Sequence, residues 1–130
     1  MPVKIVEDNS LRATGDGYQV EIRLNWYRSL PLSCIEKVQL TLDGQPVPPE
    51  ALRFGINGHE YRLDELAGLA DEFWFVLDPA VLRVHDPGKV AAGESHTVEA
   101  EVAFRAPYIP MGPGKFLTRD ERYTTTQVAA

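Results

Sequence analysis

The chain has 130 residues, 44% hydrophobic and 25% charged, proportions that fit a single globular domain over residues 1–130 with one core. Its 19 acidic residues against 13 basic ones give a formal charge of −6, which argues against nucleic acid or an anionic membrane, since both call for a basic footprint. The single cysteine, Cys34, excludes an internal disulfide and fits a reducing compartment.

The opening run Met1–Asp8 lacks the apolar stretch of a secretory signal. No segment approaches the roughly 20 apolar residues of a membrane span, so a cytoplasmic protein is expected. From Tyr18 to Trp26 apolar residues occupy every second position (Tyr18, Val20, Ile22, Leu24, Trp26) with Gln19, Glu21, Arg23 and Asn25 between them. That period of two predicts a half-buried strand. It runs into Trp26-Tyr27-Arg28-Ser29-Leu30-Pro31-Leu32-Ser33, where alternation breaks. Val38–Leu42 alternates next and ends at Asp43-Gly44, a tight-turn pair. Pro46, Pro48 and Pro49 stiffen the link that follows. Leu52, Phe54 and Ile56 alternate, Asn57-Gly58 turns the chain, and Tyr61 and Leu63 continue a short hairpin.

Asp64–Ala70 is the one expected helix, capped by Asp64, with Glu65 in its first turn and Gly68 weakening it. Phe73–Leu77 and Val81–Val84 are expected strands on either side of Asp78-Pro79, and His85–Gly88 is a turn. Val98, Ala100, Val102 and Phe104 alternate again. Prolines and glycines make Ile109–Gly114 a rigid, irregular loop. Thr124–Val128 is expected as an edge strand or a tail. Short strands separated by turn signals predict an all-β fold, a two-sheet antiparallel β-sandwich with one short helix and a Pro/Gly-rich C-terminal loop.

The chemistry-bearing residues do not assemble into an active site. His59, His85 and His96 are far apart and lack zinc-type spacing. His59 reads as a solvent-facing hairpin residue, and His85 as an exposed turn residue. His96 reads as an inward residue that satisfies backbone groups at a strand end. Cys34 has no nearby base and reads as a half-buried structural thiol. No serine lies in a Gly-x-Ser-x-Gly elbow. Gly112-Pro113-Gly114-Lys115 lacks phosphate-loop spacing, and its proline removes an amide donor. The neighbouring carboxylates Asp64/Glu65, Asp71/Glu72 and Asp120/Glu121 are not evidence for acid–base work, which brings groups together from separate segments. No bound metal or cofactor is therefore expected on this chain.

Docking is the better-supported reading. Trp26–Leu32 and Arg105–Gly114 place aromatics, Met and Arg outside the expected core, and those are residue types that interfaces favour. Phe73-Trp74-Phe75-Val76-Leu77 is apolar on both faces of a strand. Its second face needs cover, either from the Asp64–Ala70 helix or from another protein chain. The expected interface set is Trp26, Tyr27, Arg28, Leu30, Phe73, Trp74, Phe75, Tyr108 and Met111.

The succession Trp26–Glu36, Leu42-Asp43-Gly44, Phe73-Trp74-Phe75, Gly93–Val98 and Pro107-Tyr108-Ile109-Pro110 resembles the small β subunit of bacterial C-glycoside deglycosidases, over almost the whole chain. The Trp-Tyr-Arg-Ser-Leu-Pro-Leu-Ser segment is its most specific part. The resemblance implies a hetero-oligomer in which an isomerase/epimerase-like barrel α subunit carries a divalent metal, typically manganese, and the catalytic groups. It implies cleavage of the carbon–carbon bond between sugar and aromatic aglycone in 3-oxo-C-glycosides, where the 3-keto group acidifies the adjacent C–H. It implies no catalytic residue on this chain. Tyr108, Ile109 and Pro110 match a family motif and either reach the mouth of the barrel or serve only the subunit interface. Two other readings compete: a stand-alone carbohydrate-binding β-sandwich with Trp26, Tyr27, Trp74 and Tyr108 as stacking platforms, and an autonomous small hydrolase, which the missing dyad disfavours.

Overall fold

The computed structural model describes residues 4–130; Met1–Val3 of the opening run lie outside the described residues. Eleven strands follow one another: β1 (Arg12–Thr14), β2 (Gly17–Ile22), β3 (Leu30–Pro31), β4 (Ile35–Leu42), β5 (Gln45–Pro46), β6 (Leu52–Ile56), β7 (His59–Arg62), β8 (Phe73–Trp74), β9 (Ala80–His85), β10 (Ser95–Gly112) and β11 (Lys115–Val128). They form a five-stranded sheet ordered β1-β2-β9-β6-β7, a four-stranded sheet ordered β11-β10-β4-β5, and a two-stranded sheet of β3 and β8. Every pairing is antiparallel. The expected β-sandwich is what forms. Among the described residues, no helix is long and apolar enough to cross a membrane.

The period-two pattern fixes which face each strand buries. Tyr18, Val20 and Ile22 of β2, Leu52, Phe54 and Ile56 of β6, and Ala80, Leu82 and Val84 of β9 point inward from one sheet. Val38, Leu40 and Leu42 of β4 and Val98, Ala100, Val102 and Phe104 of β10 meet them from the other. Each fully buried large side chain contributes roughly 1.5–3 kcal/mol. The turns at Asp43-Gly44 and Asn57-Gly58 have positive φ at both residues, 50° and 81°, then 54° and 79°. That is the geometry whose twist matches a hairpin, and Asn, Asp and Gly tolerate it best.

Several sequence expectations are corrected. β2 stops at Ile22, where its partner β9 begins at Ala80. Leu24 nevertheless stays buried and Trp26 half-buried, so burial alternates beyond the ladder. The expected Asp64–Ala70 helix is a 3₁₀ helix over Leu63–Gly68, joined by two further 3₁₀ turns at Leu32–Cys34 and Pro49–Ala51. Its cap is Arg62, whose backbone N–H donates to the Glu65 carboxylate at 2.7 Å. Phe73–Leu77 is no five-residue strand: only Phe73 and Trp74 pair, with Pro31 and Leu30. The Trp74 indole N–H then donates to the Asp78 carbonyl at 2.9 Å, closing a turn. Ile109–Gly114 is the far end of a long β10–β11 hairpin, not an irregular loop. β4 pairs with β10 only over Val98–Phe104, so the hairpin continues beyond it as a two-stranded ribbon. Register shifts between Ala106 and Pro110 and between Pro110 and Gly112 accommodate prolines that cannot donate to a ladder. Thr124–Val128 is the last part of β11.

The chain also closes on itself. The Gln127 side-chain carbonyl accepts the N–H groups of Ser10 (3.0 Å) and Leu11 (2.9 Å), and its amide donates to the Glu7 carbonyl at 2.7 Å. Backbone bonds join Ala130 to Leu11 and Ala13.

Candidate functional site

The sandwich has two ends. At one, β2 and β10 finish while β4, β9 and β11 begin; at the other, the reverse. Seven large apolar side chains are exposed among the described residues: Tyr27, Phe73, Phe75, Leu77, Met111, Phe116 and Val128. The first five fall in the segments that sequence marked for docking, and the fold brings those segments to the first end.

Their junctions are specific. The β3–β8 pair sets Leu30 opposite Trp74 and Pro31 opposite Phe73. Ser29 Oγ accepts the Val76 N–H at 2.9 Å, and Leu32 N–H donates to the Glu72 carbonyl at 2.8 Å. Trp26 packs edge-on against Phe104, with ring centroids 5.3 Å apart, and its indole N–H donates to the Tyr108 hydroxyl. Tyr27 stands edge-on to Tyr108 at 6.4 Å. The neighbouring Tyr108 holds the Tyr27 pKa above its usual value. The Arg28 guanidinium lies 4.3 Å from the Tyr108 ring centroid, and that of Arg119 lies 5.8 Å from Trp26. Each such stack is worth about 0.5–1 kcal/mol at an exposed site. Phe73 and Phe75 stack at 6.2 Å.

Burial divides the expected interface set. Tyr27 (68% exposed), Met111 (61%), Phe75 (50%) and Phe73 (37%) present surface, as does Arg28. Trp26, Tyr108 and Ile109 are half-buried, and Pro110 is exposed. Leu30 and Trp74 are completely buried, which withdraws them as surface anchors. They are the floor under the others: Trp74 stands edge-on to Phe54 at 5.3 Å in the core. The same burial removes Trp74 as a sugar-stacking platform. Tyr108 has Arg28 over its ring, which leaves Tyr27 as the open aromatic of the four proposed.

Sequence missed Arg119 because the run Arg119-Asp120-Glu121-Arg122 hides its period. Arg119 pairs with Glu121 at 3.0 Å, and Asn25 donates to the same carboxylate at 3.4 Å. Also missed was Glu101, 6% exposed on the outer face of the four-stranded sheet. Lys37 at 3.0 Å and Arg122 at 3.2 Å hold it ionised, its pKa lowered first by Lys37. Asp120, from the neighbouring strand, is raised because its carboxyl lies against Glu101. Asp120 is thus coupled to a carboxylate on another strand, not to its neighbour Glu121.

His85 and His96 lie at the opposite end, whereas His59 follows the Asn57-Gly58 turn, where the Asn57 side chain donates to the Phe73 carbonyl at 2.8 Å. His59 and His85 are exposed, as expected. His96 does not serve backbone groups: its Nδ1 lies 2.6 Å from Asp43 and its Nε2 3.2 Å from Glu94. These carboxylates raise the His96 pKa, with Asp43 the larger cause. Cys34 is buried, and that burial pushes its thiol pKa up. Among the described residues, no group of three or more His, Cys, Asp or Glu is placed to hold a metal ion. Two grooves of about 390 Å³ each lie under Pro46–Pro49 and beside Asn57-Gly58. The second of these grooves borders the aromatic end, where the Asn57 side chain donates to the Phe73 carbonyl at 2.8 Å, and that end carries two guanidinium groups, Arg28 and Arg119. Its chemistry suits contact with a protein surface better than enclosure of a small molecule.

Comparison with known proteins adds to this geometry. A family model described as C-glycoside deglycosidase beta subunit matches residues 3–108. A C-glycoside deglycosidase beta subunit of Microbacterium trichothecenolyticum is 40% identical over 129 residues, covering 99% of this chain and 97% of that protein. A 3'-dehydrocarminate deglycosidase beta subunit of a Microbacterium species is 42% identical over 118 residues, with 91% and 87% covered. A C-glycoside deglycosidase beta subunit of Arthrobacter globiformis is 34% identical over 126 residues, with 97% and 95% covered.

Proposed function

Because the chain belongs to the C-glycoside deglycosidase beta subunit family, we propose that it is the non-catalytic subunit of a hetero-oligomeric carbon–carbon lyase acting on 3-oxo-C-glycosides. Its partner in this reading is an isomerase/epimerase-like barrel α subunit that supplies a divalent metal, manganese by preference, and the base. The reaction removes a proton from the carbon beside the 3-keto group. The bond from the anomeric carbon to the aromatic aglycone then breaks, and the aglycone takes up a proton as it leaves. This chain stabilises the barrel and works in the cytoplasm.

The observation that carries the reading is the convergence of Tyr27, Arg28, Phe73, Phe75 and Met111 at one end of the sandwich, on a floor formed by Trp26, Leu30 and Trp74. Aromatic and Arg anchors around a packed centre are the composition of an interface core. Tyr108, Ile109 and Pro110 lie on the ribbon beyond the last β4 pair at Phe104, and in this reading they border the barrel's mouth. The carbohydrate-module reading loses ground with the burial of Trp74 and the covering of Tyr108.

The test is co-expression with a barrel protein of this kind, followed by assay on a 3-oxo-C-glucoside. A stable complex whose cleavage activity requires both chains is expected. A barrel that is fully active and equally stable without this chain, or a chain that never co-purifies with it, would overturn the reading.

A further inference from the structure

β11 is a 14-residue strand hydrogen-bonded to β10 on one side only. Among the described residues, its other edge carries no backbone hydrogen bond before Ala130, which bonds Leu11 and Ala13. An open edge of this length is a template for another strand, and natural proteins usually cover it, shorten it or break it with a bulge. The register shifts of this hairpin are between β10 positions that pair with the first residues of β11, so the edge from Leu117 to Val128 runs without interruption.

The residues on its outer face read Phe116, Thr118, Asp120, Arg122, Thr124, Thr126, Val128. In this order they complement their own reverse. We propose that β11 pairs antiparallel with β11 of a second copy about a two-fold axis through Glu121, joining two four-stranded sheets into one of eight. In that register Asp120 lies opposite Arg122 of the other copy, twice, and Thr118 lies opposite Thr124. Phe116 lies opposite Thr126 and diagonal to Val128. Phe116 (41% exposed), across from Pro110 on the ribbon, and Val128 (60%), at the opposite end of β11, thereby cover each other. Opposite charges and apolar–Thr pairs directly across an antiparallel ladder are the stabilising ones.

Local electrostatics favours the same register. Lys37 and Arg122 are both engaged with Glu101, while Asp120 faces the Glu101 carboxylate. An Arg from the second copy gives Asp120 a cation of its own. At the axis Glu121 meets its own copy, and each Glu121 is already neutralised by Arg119 at 3.0 Å. The pairing runs along the edge of β11 past Arg119, which lies over Trp26 at the aromatic end, so the chain alone tests it apart from whatever docks at that end.

Charge exchange and cross-linking test the register, on the full chain alone and on its co-purified complex. Sedimentation should show a concentration-dependent pairing of two copies. Asp120→Arg sets Arg opposite Arg twice and should weaken the pairing about tenfold or more. It also places a cation beside Glu101, so a loss cannot be blamed on a weakened fold. The double change Asp120→Arg with Arg122→Asp should restore pairing. Glu121→Cys should form an inter-chain disulfide under mild oxidation, because directly opposed Cα atoms lie about 4.5–5.5 Å apart. Thr125→Cys should not, since its copies would be some eight residues, about 27 Å, apart along the ladder. A chain and complex that hold a single copy at all concentrations would overturn the proposal. So would pairing indifferent to Asp120→Arg, failure of the double change to restore it, or cross-linking at Thr125 in preference to Glu121.

Discussion

At the far end of the sandwich, His96 is held between Asp43 and Glu94, the Asp43 carboxylate also accepts the Thr97 N–H at 2.8 Å, and the Gln127 side chain ties the chain's last strand to residues 7–11. At the near end, Tyr27, Phe75, Leu77 and Met111 stand in solvent. The same strands, β2, β4, β9, β10 and β11, run through both. The polar end meets its hydrogen-bonding needs with its own side chains, with Val128 the exposed large apolar residue it carries among the described residues. The aromatic end satisfies its polar atoms too, through the Trp26–Tyr108 and Ser29–Val76 bonds, yet leaves apolar surface uncovered. Surface that is polar-satisfied and apolar-exposed is prepared for a partner, and it also places that partner's contacts on a rigid base.

The strongest way to break this contrast is to remove the floor of the aromatic end. Trp74→Ala empties a completely buried site and should cost about 3–5 kcal/mol in denaturant unfolding. A loss below about 1 kcal/mol would mean that the β3–β8 pair is not part of the cooperative unit. The matching test at the polar end is Gly17→Ala. A Cβ there would meet the Val84 carbonyl oxygen at 1.9 Å and the Asp86 nitrogen at 2.7 Å, and both are backbone atoms. β2 would have to move off β9, with an expected cost of about 3 kcal/mol.

Arg28→Ala sharpens the comparison. Its guanidinium stacks on Tyr108 at the surface, so domain stability should change by less than about 1 kcal/mol. Affinity for the proposed barrel partner should fall by about 2 kcal/mol, roughly thirtyfold, as measured by calorimetric titration. Loss of fold with unchanged affinity would reverse the roles assigned to the two kinds of residue at that end.

The smallest effect concerns pH at the polar end. The His96 pKa is raised above 6.5, so its contribution is complete below that value and fades as pH rises through the raised, folded-state pKa. Asp43 and Glu94 are lowered from 3.8 and 4.5, so their contribution is present above those values and fades as pH falls. The clamp is therefore fullest between about pH 5 and 6.5. The difference in thermal midpoint between the parent chain and His96→Gln should be largest in that window and should shrink toward pH 9. A difference that grows with alkalinity would reject the clamp. Arg28→Ala, which removes a stack on Tyr108 and not an ion pair with histidine, should be indifferent across the same range.

The strands of the sandwich were legible because alternation is a one-face signal, and Val20, Leu40, Phe54, Leu82 and Val102 each sit in an uninterrupted run of it. The aromatic end was legible as composition but not as geometry. In Phe73–Leu77 every residue is apolar, so nothing in the run tells that Trp74 turns in while Phe73 and Phe75 turn out; that is decided by pairing with Leu30, forty-four positions earlier. The three prolines of Pro107–Gly114 read as loop signals because a proline cannot serve an interior strand. A ribbon with one neighbour has unpaired positions to spare, and there the rule does not bind. β11 escaped for a third reason: four charged residues in succession erase the period of two. Glu101 and Asp120 came together only through sheet register, which no spacing along the chain encodes.

The Gln127 clasp has a consequence for how the molecule comes into being. Its partners Ser10 and Leu11 are 117 and 116 positions away, and β1 has neither the clasp nor the Ala130 bonds until those last residues arrive. During synthesis the five-stranded sheet can pair β2, β9, β6 and β7 once residue 85 has emerged, but its first edge stays unlatched until residues 127–130 follow. Contacts of such long sequence separation put folding on the slow side for a domain of this size. For that interval the growing chain presents an open edge at β1 together with its aromatic end, and it is then that an early-arriving partner, or a chaperone, has most to protect.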